Sequence, residues 1–158
     1  MTLSCLTLWA PWADAIIRGG KRIENRGYPP PASLVGEWLA LHTGKTYEDL
    51  SGSDWPFPGS WTPPADSDCS RGVVAVARVA GVITPLGFID ASTGVVLDCR
   101  TTLDMAWWAR GSYGWILYEV RAITPVPCNG HQRLWTLPDD VERAVRVQTD
   151  LALGRNGD

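Results

Sequence analysis

No CxxC pair, GxSxG elbow, Walker-type phosphate loop or HExxH helix occurs in the sequence, which sets aside thioredoxin-like, serine-hydrolase, P-loop and zincin chemistry. The four cysteines (Cys5, Cys69, Cys99 and Cys128) are scattered, a pattern of free thiols rather than of a disulfide framework. Cys128 and His131 stand at metal-ligand spacing, but no second pair accompanies them, so no metal site and no cofactor are expected. No apolar run reaches eighteen residues, which argues against a membrane-spanning helix. The opening MTLSCLTLWAPWADAI has neither the basic start nor the small-residue cleavage site of a signal peptide, and a cytoplasmic location is expected. An excess of positive charge is missing as well. Fourteen Lys and Arg against seventeen Asp and Glu give a net charge of −3, unlike a protein that coats nucleic acid.

What the sequence does have is tryptophan, nine residues against two Phe and four Tyr. Sixteen Gly and twelve Pro imply many turns between short elements rather than a long helical bundle. The 158 residues make one ordinary domain, which buries roughly 70% of its unfolded surface without a staple. The charge is unevenly placed. Residues 15–46 carry Arg18, Lys21, Arg22, Arg26 and Lys45 against Glu24 and Glu37, a local +3 on an acidic body. Such a patch fits an anionic partner held at one site.

Periodicity gives the elements. LSCLTLW (3–9) alternates as a strand. Pro11 then opens a short helix at its first position, with Trp12, Ala13, Ile16 and Ile17 on one apolar face, and Gly19-Gly20 stops it. Strands are expected over 21–26, 36–43, 72–85 (with Gly81 as a bulge), 113–124 and 134–137, and a small helix over 102–110. Residues 51–72 form a long irregular loop. A C-terminal helix is expected over 139–153, capped by Gly154. The expected fold is α+β: a small mixed β-barrel of five to six strands with helices covering its ends. Residues 1–138 make the domain, and 139–158 pack on it as helix and tail.

Three blocks carry chemistry. Pro11-Trp12 opens the first helix, followed by Gly19, Lys21, Glu24 and Arg26 in the pattern GxKxxExR. Gly36–His42 leads into Gly44-Lys45. Pro125-Val126-Pro127-Cys128-Asn129-Gly130 leads to Leu134-Trp135. In this order the blocks resemble the ASCH family, a branch of the PUA-like folds, over about residues 3–137. GxKxxExR alone is a weak pattern, and the three blocks together are a strong one. Relatives commonly place Gln before the Pro-Trp pair, where this chain has Ala10.

The resemblance implies two kinds of activity. One is a module that binds RNA, DNA or a modified nucleoside or nucleotide. The other is a small hydrolase, either an amidohydrolase on N4-acylated cytidine-like nucleosides or a ribonuclease. In the amidohydrolase branch a Lys is followed three residues later by Thr, with a Glu on a later strand. Lys21 matches, the Thr position holds Glu24, and the strand 72–85 contains no acid. A variant with Lys21 as nucleophile and Glu24 as general base remains open.

From the residue chemistry, Lys21 and Arg26 can neutralise phosphate and Glu24 can accept from a base amine, with Arg22 beside them. The same residues would equally form an ion-pair network that tethers the first helix. His42 closes an apolar strand and is either a satisfied core residue or an imidazole at the site mouth, next to Lys45. His131, Gln132 and Arg133 form a polar cluster near that mouth. Trp55 and Trp61 lie in the Pro/Gly loop, either stacking on a base as a lid or packing on the neighbouring prolines. Trp9, Trp12, Trp38, Trp115 and Trp135 are expected in the core, and one of Trp107 and Trp108 half exposed.

Overall fold

The computed structural model describes residues 2–53, 57–96 and 103–149. Strict alternation makes β1 (Ser4–Ala10), which sends Leu6, Leu8 and Ala10 into the core while Thr7 and Trp9 point the other way. The helix α1 (Trp12–Arg18) follows, with Pro11 at its N-cap rather than inside its first turn. Its Ala13 and Ile16 join Leu6 and Leu8 in one cluster. Gly19 ends the helix where nothing larger fits. A Cβ there would stand 2.7 Å from the Ala15 carbonyl oxygen and 2.8 Å from Trp61 Cγ.

The remaining elements are β2 (Ile23–Arg26), β3 (Trp38–Tyr47), β4 (Gly72–Ile83), β5 (Tyr113–Val126), β6 (Leu134–Thr136) and α2 (Asp139–Thr149). They build one sheet in the order β2-β5-β4-β3-β1-β6. β1 and β3 run parallel, and every other pair is antiparallel. β4 reads as an almost continuous apolar run because both of its faces are covered. A register shift marks the bulge at Gly81.

In β3, Leu39 and Leu41 face α1, while Ala40 faces the opposite side with Cys5, Val73 and Val76. Val141 and Val145, one helical turn apart on α2, close that second cluster. Val145 is wholly buried, worth about 1.5–3 kcal/mol of transfer free energy. The helices therefore lie on the two faces of the sheet.

The α+β class with six strands and two helices is found, and the expected barrel is not. Among the described residues no ladder joins the edge strands β2 and β6, so the sheet is open. The reason lies in β1. Its inner edge belongs to β3, and β6 occupies the other edge at Ser4, Cys5 and Leu6. Residues 7–10 of β1 pair with no strand on that edge among the described residues, because a cavity walled by Trp9, Lys21 and Glu24 separates them from β2, and the gap is crossed by a side chain. Arg26 Nη2 donates to the Thr7 carbonyl at 2.8 Å. The helices accordingly cover sheet faces, not barrel ends.

Smaller differences have local causes. The expected helix over 102–110 is a single 3-10 turn, Met105–Trp107, because the Asp104 carboxylate caps Ala106 N–H and Trp107 plugs into the core. The C-terminal helix is described to Thr149, and Gly154 lies outside the described residues. Of the five tryptophans assigned to the core, Trp115 is wholly buried, and Trp12, Trp38 and Trp135 are half-buried. Trp9 is 56% exposed. Trp107 is buried and Trp108 half-buried, as expected of the doublet. No helix among the described residues is long and apolar enough to cross a membrane.

Candidate functional site

The seam between β1 and β2 opens into a cavity of about 350 Å³ whose walls include Trp9, Trp12, Lys21, Glu24, Arg26 and Glu48. Gly20, at φ +71, turns the chain out of α1. Lys21 N–H then donates to the Ala15 carbonyl at 3.1 Å, which pins this residue under the helix end. On β2, Glu24 and Arg26 share one face by the two-residue repeat. Asn25 on the other face holds the Trp107–Ser112 segment: it donates to Trp107 O at 2.9 Å and accepts from Ala109 N at 2.8 Å and Ser112 Oγ at 3.0 Å.

Lys21 and Glu24 are buried, 3% and 7% exposed, and meet at 3.0 Å between Nζ and Oε2. Arg26 Nε lies 3.5 Å from the other carboxylate oxygen of Glu24. Lys21 Nζ also sits over the Trp12 ring, 5.5 Å from its centroid. The Trp12 indole N–H donates in turn to the Glu48 carboxylate. Buried charge persists only when paired in this way.

A second cavity of about 600 Å³ lies on the far side of Thr7 and Trp9, bounded by His42, Lys45, Arg71 and the Cys128–Gln132 loop. His42 is 2% exposed, with Nε2 at 2.9 Å from the Cys128 carbonyl oxygen. Burial pushes its pKa below 6.5; the Cys128 carbonyl opposes the shift and His131 adds to it. A neutral ring donating from Nε2 leaves Nδ1 as a lone-pair acceptor, and that atom is buried without a partner among the described residues. Gly130 backbone presses against this ring. A Cβ at Gly130 would stand 2.6 Å from His42 Cε1 and 2.7 Å from Thr7 Oγ1. Trp135 donates to Thr7 Oγ1 at 3.1 Å and packs edge-on against His42 and His131. Arg71 donates to Cys69 O and pairs with Asp66. Lys45 is exposed and makes no ion pair among the described residues.

Crystal structures from Zymomonas mobilis are similar to this chain. ASCH from that organism matches at 12% identity, over 92% of this chain and 94% of that chain, with a TM-score of 0.49. A point mutant of ZmASCH matches at 15% identity, over 93% and 98%, also with a TM-score of 0.49. No family model and no curated protein matches the chain.

The structure thus brings Lys21, Glu24 and Arg26 together in one cavity and His42 and Lys45 in its neighbour. Other sequence candidates stand elsewhere. Arg22 Nη1 donates to Ile16 O at 2.7 Å and to Lys21 O at 3.1 Å, which satisfies carbonyls at the end of α1. Arg133 lies over the Tyr28 ring at 4.3 Å and lines neither cavity. Trp61 donates to Asp14 at 2.8 Å and stacks on Trp12 with centroids 6.4 Å apart, so it buttresses a wall of the seam cavity rather than lying open as a lid. Trp55 lies outside the described residues. Among the described residues no group of three or more His, Cys, Asp or Glu is placed to hold a metal ion.

Sequence reasoning missed Trp9, Thr7, Glu48 and Arg71 as cavity walls. Trp9 was detectable. It shares the parity of Thr7 in β1, opposite to the Leu6–Leu8–Ala10 face, and lies beyond Cys5, the residue of that parity buried in the second cluster.

Proposed function

We propose that the chain is a nucleic-acid-binding module that takes RNA or a modified nucleotide into the seam cavity. The observation that carries this reading is the buried Lys21–Glu24–Arg26 cluster on the cavity wall, with an indole face at Trp12 beside it. The volume suits a nucleoside-sized ligand. A carboxylate has about four lone-pair sites, and those of Glu24 not used by Lys21 and Arg26 accept from the exocyclic amine of adenine or cytosine. Lys21 and Arg26 then sit where the charge of a phosphate is neutralised. A net charge of −3 suits one such site better than a broad basic interface.

Fluorescence anisotropy with a short labelled single-stranded RNA tests the reading. Affinity should fall as salt rises, and about tenfold or more in Lys21→Ala, with folding verified by circular dichroism. Affinity indifferent to both would overturn it.

The 3.0 Å contact between Lys21 and Glu24 also supports the hydrolase alternative, since an amine beside a carboxylate is the geometry of a proton-transfer pair. Turnover of an N4-acylcytidine or of RNA, lost in both Lys21→Ala and Glu24→Ala, would move the assignment to that class.

A further inference from the structure

The two cavities share their dividing wall. Thr7 and Trp9 line both of them, and beyond Leu6 the seam edge of β1 has no strand beside it. Thr7 is fixed from both sides, its carbonyl by Arg26 at 2.8 Å and its Oγ1 by Trp135 at 3.1 Å. Trp9 is different. It is 56% exposed, and it has no ring or hydrogen-bond partner among the described residues. An unpacked indole, held on a rigid strand between two polar cavities, is a platform that loses little entropy when a flat ring stacks on it.

The second cavity adds a cation that no carboxylate holds. Lys45 is an exposed cation with no carboxylate neighbour among the described residues, whereas Arg71 on the same wall is already paired with Asp66. Its volume of about 600 Å³ admits another nucleotide. The cavities lie to either side of Thr7 and Trp9, so bases entering them stand apart rather than stacked on each other, an arrangement open to a single strand and not to a duplex.

We propose that the ligand spans both cavities as a single-stranded oligoribonucleotide of two or more nucleotides. One base enters beside Lys21 and Glu24, the linking phosphate lies against Lys45, and the neighbouring base stacks on Trp9. This rests on the nucleic-acid reading of the seam cavity and adds to it the length of the ligand and the residue that divides it.

The experiment is a calorimetric titration with ribonucleoside monophosphates and the corresponding dinucleotides, read as the ratio of the two affinities. In the wild type the dinucleotide should bind about tenfold or more tighter, and its binding should quench Trp fluorescence. In Trp9→Ala and in Lys45→Glu the ratio should fall toward one. Both side chains are exposed, so the fold is expected to survive, and a melting curve checks this. Equal affinities in the wild type, or a ratio unchanged in both variants, overturn the two-cavity ligand, while retained mononucleotide binding leaves the seam reading standing. Absence of binding at every length overturns both. A deoxydinucleotide that binds as well as its ribo form keeps the span and overturns the choice of RNA.

Discussion

The two cavities on either side of Thr7 and Trp9 are built on opposite electrostatic plans. In the seam cavity the buried ammonium of Lys21 lies against Glu24, and Arg26 faces the same carboxylate while bonding Thr7 O. In the neighbouring cavity Arg71 pairs with Asp66, but Lys45 is exposed and has no such partner among the described residues. Breaking a buried ion pair costs several kcal/mol, whereas surface pairs contribute 0–1 kcal/mol, so the two regions load stability and attraction onto different residues. The first holds its groups in place before any ligand arrives. The second keeps positive charge available to draw a polyanion in. A mutation that damages one cavity should therefore leave a different signature from one that damages the other.

Four changes would sharpen or break that contrast. The largest effect is expected for Lys21→Ala, which leaves the Glu24 carboxylate buried beside one fewer cation. Urea unfolding should show a loss of about 3–5 kcal/mol. A loss under about 1 kcal/mol would mean that the seam is as wet as its neighbour. Gly130→Ala comes next, because its Cβ would collide with His42 and Thr7 at 2.6 and 2.7 Å. Overpacking of this kind costs about 1–3 kcal/mol, seen as a lower melting temperature.

His42 follows, through pH. The folded ring resists protonation, so below pH 6.5 the unfolded chain binds more protons than the native one, and stability declines as pH falls. The full contribution is present above that value. Melting temperatures from pH 8 down to 5 should trace the decline, and His42→Gln should remove that part of it. The smallest structural effect belongs to Lys45→Ala, within about 0.5 kcal/mol by unfolding. Its mark should appear in the salt dependence of single-stranded RNA binding, whose logarithmic slope should shrink by about 0.7 for one lost phosphate contact.

Much of this layout was legible in the sequence. The alternation in β1 and β2, the long apolar run of β4 and the Gly19-Gly20 stop after α1 all located their elements, because periodicity and punctuation are local properties. The joining of Lys21, Glu24 and Arg26 was legible too, since they lie within six residues of one another. Sheet closure was not. Whether β2 reaches β1 depends on how strands far apart in the sequence stack between them, in the order β2-β5-β4-β3-β1, which no local pattern reports. Arg22 and Trp61 were misleading for a related reason. Their chemistry suits a ligand, but nearby carbonyls and the Asp14 carboxylate claim it within the fold. Trp9 shows the reverse: its place in a regular strand pointed to the core, while its side of that strand leaves it exposed.

An open sheet has a liability that a closed one avoids, because unpaired backbone edges invite strands from other molecules. Here β2 ends the sheet after four residues, too few to guide a long intruder. The uncovered part of β1 carries the protruding indole of Trp9 and is straddled by the Arg26 guanidinium. Arg26 thereby covers a backbone acceptor on that open edge as well as walling the seam. Its loss should be felt first in concentrated solution, as chains beginning to add to one another's sheets.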